Sequence, residues 1–546
     1  MRLFPLSRAA VAVALLSSAS CRSTPSSTPP LPAGMTVRVP LPASSLSPQE
    51  RAVHALNRLA YGPSSDDLRA VQQLGLQAWI ERQLDPASIP DDAVEAKLQQ
   101  LQTLGMSTAQ LVAAFPPPKQ LARQMGIDLG EPGARERLAE MVPRRERPRE
   151  IGLELFSAKL VRAVESRRQL AEVMTDFWFN HFNVSAEKGA VRWMLVSYER
   201  DAVRPHVFGR FRDLLGAVAH HPAMLFYLDN WQSVRDGFVR PRDQDGEGPR
   251  GLNENYAREL LELHTLGVDG GYSQQDVREV ARAFTGWSID KPRQGGGFVF
   301  RPRAHDPGPK QILGQAFPGG AGAEEGERVL DMLARHPSTA RFISSKLCRK
   351  LVSDHPPEAL VSRVAQVFLQ TDGDLRQVYA AILSSPELWA KENASAMTKT
   401  PLELAASAIR AVGGATDGGG PLYRAIERMG EAIYRAQPPT GYPEASEAWV
   451  NAGALVTRIN FGLLLAQDRI PGTRAAVERM APGAATPEAV LDRLSAQLLG
   501  RPVSEATRQT ILRAAAGEAM PDGETRPADP RLVAGLLLGS PEFQKQ

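Results

Sequence analysis

Apolar residues recur at helical spacing through most of this chain, and short turn-rich stretches separate the periodic segments. The first helices are predicted over residues 47–84. Ser47 is placed to cap and Pro48 to open the first, and Gly62-Pro63 breaks the pattern before a new start near Ser65. Residues 91–150 carry further helices, a proline run at Pro116–Pro118 and an exposed, charge-rich connection, EPGARERLAEMVPRRERPRE. Residues 151–184 read as a long helical pattern ending in DFWFNHFNV. Its aromatics Phe177, Trp178, Phe179 and Phe182 wrap most of the circumference, which predicts burial all round. Residues 233–250 are polar and rich in Gly, Pro and charge, as expected of a mobile surface loop. The runs FVF and QIL flank a turn-rich segment and predict one small β-hairpin near residues 295–316, with His305-Asp306 at its tip. Helical spacing resumes beyond Gly326. The expected fold is mainly α: a main helical domain over 47–479 and a less aromatic helical subdomain over 480–546.

Two polar stripes stand out on these apolar helices. One is Glu172, Asp176, Asn180 and Asn183, at spacings of three and four along the aromatic helix. The other lies in NENYARELLELHTLGVDGGY, residues 253–272, where one helix is predicted over 253–267 and stops at Gly267. On a wheel at about 100° per residue with Glu254 at zero, Arg258 falls at about 40°, Glu262 at about 80° and Glu259 at about 140°. His264 falls at about 280°, amid the apolar arc, as a core histidine would. Glu262 and His264 diverge too far to hold one metal, whereas Glu259 and Glu262 could share a divalent ion. The plainer reading of Glu254, Arg258 and Glu262 is an i,i+4 ion ladder on a solvated face.

Composition narrows the function classes. Of 546 residues, 43% are hydrophobic and 23% charged, which is ordinary for a globular body. A net charge of +3 gives no sign of nucleic acid as a partner. No G-x-S-x-G elbow, H-E-x-x-H, phosphate loop or dinucleotide fingerprint occurs, which argues against the enzymes that depend on them. The second of two cysteines, Cys348, sits in a helical pattern among Phe342, Ile343, Leu347 and Leu351 and reads as a structural thiol.

The first residues read as an export signal. Arg2 and Arg8 are basic, Ala9–Leu16 is apolar, and Ser17–Ser20 are small and lead to Cys21. This order resembles a bacterial lipoprotein signal over 1–20, with Cys21 as the lipidated residue and a Ser/Thr/Pro-rich tether over 21–46. Ser18 stands where leucine is usual, so an ordinary cleaved signal is the alternative. The expected location is periplasmic or outer-membrane-associated, with membrane contact through the anchor only.

The motifs HALNRLAYGP, DFWFNHFNV, SYERDAVRP, PAMLFYLDN, NENYARELLELHTLG, DVREVARAFTGW, AHDPGPKQILG and HPSTARFISSKL occur in this order. Together they resemble the bacterial domain-of-unknown-function 1800 family from about residue 50 to about 465. The resemblance implies an exported protein. It also implies a first candidate partner, a co-encoded secreted protein of sulfatase-like character. No reaction comes with it, but it directs attention to His181, Glu254, Arg258, Glu259, Glu262, His264, His305 and Asp306.

Two functions remain open at this point. An envelope enzyme would use Glu254, Arg258, Glu259 and Glu262 with Asp176, His305 and Asp306 for acid/base or metal chemistry, the acidic face meeting the Asp176–Asn180 stripe in a cleft. A noncatalytic envelope protein would present the same helices to a partner protein or a surface polymer. The two polar stripes favour the enzyme, because buried carboxylates must be paired or put to use.

Overall fold

The aromatic helix does what its composition predicts. Over Gln169–His181 it is buried on nearly every side, with Trp178 and Phe182 fully enclosed and Phe179 almost so. The Trp178 indole N–H donates to the Tyr379 hydroxyl at 2.7 Å, and that hydroxyl donates to the Val207 carbonyl at 2.7 Å. The structure, a computed structural model, describes residues 37–142, 148–238, 251–484, 486–516 and 529–546. The signal segment, Cys21, the tether up to residue 36 and positions 239–250 of the polar loop lie outside the described residues.

Helices dominate, and three two-stranded antiparallel sheets occur among the described residues. The predicted hairpin is corrected in its pairing. Phe298–Phe300 pairs with Trp287–Ile289, and Lys310–Ile312 pairs with Gln315–Phe317, so FVF and QIL belong to two different hairpins. The AHDPG segment between them is not a hairpin tip but a packed loop with His305 buried.

Residues 37–46, assigned to the tether by composition, lie against the body. Val39 is fully buried, its N–H donates to Glu81 at 2.9 Å, and Ser44 donates to the Trp389 carbonyl. Within the 480–546 segment, Leu491, Leu494, Leu537 and Phe543 join the main core. Its Pro530–Leu538 helix crosses the Ala452–Ala466 helix where Gly462 meets Gly535, and a Cβ at Gly462 would stand 2.8 Å from the Gly535 carbonyl. The last residues pair with 397–399: the Lys399 N–H donates to the Gln544 carbonyl and the Gln546 N–H to the Met397 carbonyl.

The helix predicted over 253–267 is two kinds of helix. Asn255–Glu259 is α-helical, but Leu260–Thr265 is a π-helix, closed by the Leu266 N–H on the Leu261 carbonyl at 2.9 Å. A π turn widens the spacing, so the 100° wheel fails beyond residue 260. His264 is nonetheless buried, packed on Phe182 with ring centroids 5.2 Å apart. Cys348 is buried as predicted, and burial pushes its thiol up to about 12. No helix among the described residues is long and apolar enough to cross a membrane.

Candidate functional site

The acidic face of the 253–267 segment resolves into a partly exposed ladder. Arg258 lies 3.5 Å from Glu254 and 3.6 Å from Glu262, while Gln274 donates to Glu254 at 2.7 Å and to its other side Arg278 stands 3.7 Å away. Side-chain exposures of 38% for Arg258, 32% for Glu254 and 26% for Glu262 mark a rim of weak, screened pairs. Glu259 is more enclosed: burial, and then Glu262 beside it, raise its carboxyl above the usual range. Among the described residues no three His, Cys, Asp or Glu side chains gather as metal ligands, so Glu259 and Glu262 stand as a pair without a third.

His305 and Asp306 form a separate structural knot. The His305 Nδ1–H donates to the Thr285 carbonyl at 2.9 Å, and Nε2 lies 3.3 Å from Glu325 without a hydrogen bond. Asp306 accepts from the Arg282 guanidinium at 2.8 and 3.1 Å and from the Gly308 N–H at 2.9 Å. The buried Lys310 ammonium donates to the Asp306 and Gly308 carbonyls and to Glu325. Every strong donor is thus turned inward to hold the loop.

Asp176 goes elsewhere, and the expected meeting of the two stripes does not occur. Asp176 lines a cavity of about 80 Å³ with Lys159, Lys350, Glu403 and Glu431, and none of Glu254, Glu259, Glu262, His305 or Asp306 lines it. Lys159, on the largely buried Arg149–Glu165 helix, donates to Asp176 at 2.7 Å and lies 3.6 Å from the buried Glu199. Burial draws the Lys159 ammonium down, but Asp176 and Glu199 outweigh it and hold its pKa above the ordinary value. Burial likewise pushes Glu199 up, yet Lys159, Arg204 and the Tyr434 hydroxyl bring it to about 2. On the opposite wall Lys350 donates to Glu403 at 2.6 Å. Glu403 is also the partner of Thr400 in a capping box at the start of the Pro401–Ala411 helix, and it accepts from the Gln546 amide at 3.1 Å.

Glu431 is the odd member. It is nine-tenths buried, and one carboxyl oxygen accepts the Leu402 N–H at 2.8 Å. The other has no hydrogen-bond partner among the described residues. Burial, and then the nearby Asp176 charge, push its carboxyl up to about 8. Two carboxyl groups in the cavity are therefore held apart in protonation: against the upward push of burial, Lys350 keeps Glu403 below the ordinary carboxylate range, while Glu431 keeps its proton at neutral pH; the third, Asp176, is paired with Lys159.

A clamped loop forms the rim. Asn180 donates to the Tyr442 carbonyl at 2.9 Å and accepts the Tyr442 N–H at 2.7 Å, while Asn183 donates to the Ala436 and Pro438 carbonyls. Gly441 has φ 71°, and a Cβ there would run into Asn180, so this position needs glycine on both counts. The polar stripe on the aromatic helix is thus divided between a cavity residue, Asp176, and two asparagines that fix the rim. Lys159 was not singled out from the sequence, although it is the one charge in the otherwise uncharged run LFSAKLV. Lys350, Glu403 and Glu431 carried no comparable signal, because each sits where a capping or surface charge is ordinary.

The described body is thus a mainly helical protein with a charge-lined cavity set between its aromatic helix and the segments at 397–403 and 431–449. Its sequence matches the model of the family described as "Protein of unknown function (DUF1800)" over residues 54–545, and the chain belongs to that family. The match runs through the C-terminal helices as well, in keeping with their share of the core. No curated protein and no solved structure matches the chain.

Proposed function

We propose that the chain is an exported envelope lipoprotein, anchored through Cys21, and that the Asp176 cavity performs general acid/base chemistry. Glu431 is the acid and Asp176 the base. The observation that carries the chemistry is Glu431, a buried carboxyl with one free oxygen on the cavity, pushed up to about 8 in a site it shares with two lysine-paired carboxyl groups. A proton donor and a proton acceptor poised in one enclosed space are what such catalysis requires. Lys159 pairs with Asp176 at 2.7 Å and Lys350 with Glu403 at 2.6 Å. A second reading, a noncatalytic scaffold for a partner such as the sulfatase-like protein, draws on the apolar exposed residues Val450, Leu455, Val456 and Ile459 around the start of the Ala452–Ala466 helix.

Glu431→Gln separates the two. Wild-type protein should show an infrared carboxylic-acid band at pH 7 that is absent from the variant. Folded-state protonation raised from 4.5 to about 8 gives stability that is full below about pH 4.5 and lost as pH rises through about 8. The variant should lose that slope. In a screen of hydrolytic and lyase substrates, any turnover should fall by about 10²–10⁴-fold in the variant, the usual worth of a general acid. Turnover unchanged in Glu431→Gln would refute the acid/base assignment. For the anchor, Cys21→Ser should move the protein from the membrane to the soluble fraction, and retention in the membrane would refute lipidation.

A further inference from the structure

The charges around the cavity balance in pairs, and this restricts what can enter. Lys159 is matched by Asp176 and Lys350 by Glu403, and Glu431 carries no charge at neutral pH. A phosphate, sulfate or other strong anion would face Asp176 and Glu403 without a spare cation. A diamine or metal cation would face two ammonium groups at close range. Either would be desolvated against like charge with no net charge of the cavity to offset it.

What the walls do offer is hydrogen bonding of both signs. Asp176 uses one oxygen for Lys159 and keeps 29% of its side-chain exposure, and Glu431 has a free oxygen. The Lys350 ammonium has a single acceptor, Glu403, for its three protons. Beside these polar groups stand the rim aromatics Tyr442 and Trp449, with ring centroids 5.9 Å apart. Both are held firmly, since the Tyr442 hydroxyl donates to the Ala432 carbonyl at 2.8 Å and the Trp449 indole to the Pro443 carbonyl at 3.1 Å. Glu444, between them in sequence, is fixed by Lys346 at 2.7 Å. A rigid aromatic edge next to carboxyl and ammonium groups suits a molecule with an apolar C–H face and many hydroxyls.

We propose that the cavity takes an uncharged sugar residue of a glycan, its hydroxyls bound by Asp176, Glu431 and Lys350 and its C–H face against Tyr442. This rests on the cavity being the functional site, as the acid/base reading holds. Glu431, itself nine-tenths buried, gives one carboxyl oxygen to the Leu402 N–H and leaves the other facing the cavity, where a ligand hydroxyl can pair with it.

The test is binding of the full mature protein to immobilised glycans at pH 6.5. The probes are cellotetraose, chitotetraose and mannotetraose as neutral oligosaccharides, chondroitin sulfate tetrasaccharide as the anion and chitosan tetramer as the cation. The neutral probes should bind saturably and the charged ones should not. Asp176→Asn and, independently, Tyr442→Ala should each weaken binding at least about tenfold, as expected for loss of one charged hydrogen bond or one stacking face. Glu254→Gln, outside the cavity, should leave it unchanged. Preference for either charged probe, no binding of any neutral probe, or full binding by both cavity variants would overturn the sugar assignment. Sugar binding with any turnover indifferent to Glu431→Gln would overturn only the acid/base reading. Turnover of a different compound that depends on Glu431, without sugar binding, would overturn only the sugar.

Discussion

Replacing Trp178 by alanine is expected to lower the unfolding free energy by about 3–5 kcal/mol, the range for truncating a fully buried large aromatic. The indole is completely enclosed, and its ring centroid lies 5.1 Å from that of Phe177, 5.3 Å from His181, 5.8 Å from Phe211 and 5.9 Å from Phe182. Truncation would open a cavity among rigid rings that cannot collapse into it. It would also remove the donor to Tyr379, although the Tyr379 hydroxyl keeps its bond to the Val207 carbonyl. Chemical denaturation of wild type and variant measures the difference, and Trp178→Phe should recover more than half of it. A variant within about 1 kcal/mol of wild type would mean that this helix is not the packing centre described. The consequence reaches the cavity, because Asp176, Asn180 and Asn183 are carried by this helix or its end.

How far the sequence discloses such features depends on how local their cause is. The enclosure of Trp178, Phe179 and Phe182 was readable because four aromatics around one helix leave no face for water. The Glu254–Arg258–Glu262 ladder was readable because i,i+4 neighbours meet on any regular helix. The π turn at 260–265 was not, since it depends on what packs around the segment and not on its periodicity. The pairing of FVF and QIL failed for a similar reason. A three-residue strand takes whichever partner the surrounding fold presents, and here these were Trp287–Ile289 and Gln315–Phe317. Asp176 was found from the stripe, but its companions come from distant stretches of chain. Glu403 was concealed by its capping role, since Thr400-x-x-Glu403 explains that glutamate locally and gives no reason to look further.

The knot around Lys310 supplies the second large effect. Its ammonium is fully buried, and its partner Glu325 is 1% exposed. Breaking a buried pair from one side strands the other charge, so Lys310→Met is expected to cost about 3–5 kcal/mol. The double variant Lys310→Met/Glu325→Leu removes both charges and should recover part of that loss, because the desolvated carboxylate is gone. Recovery should be incomplete. The Asp306 and Gly308 carbonyls, which accept from Lys310 at 2.7 and 2.9 Å, would still lack a donor, at about 1–3 kcal/mol for each buried group left unsatisfied. The two variants with wild type and Glu325→Leu form a double-mutant cycle read by denaturation. Strictly additive effects would show that the pair is not coupled and that the loop is held by Arg282 and Asp306 alone. Strong coupling would explain why an Asp, a His and a Lys recur so close together in AHDPGPK without a reaction to perform. They form a structural core for a loop that has too few apolar side chains to make one.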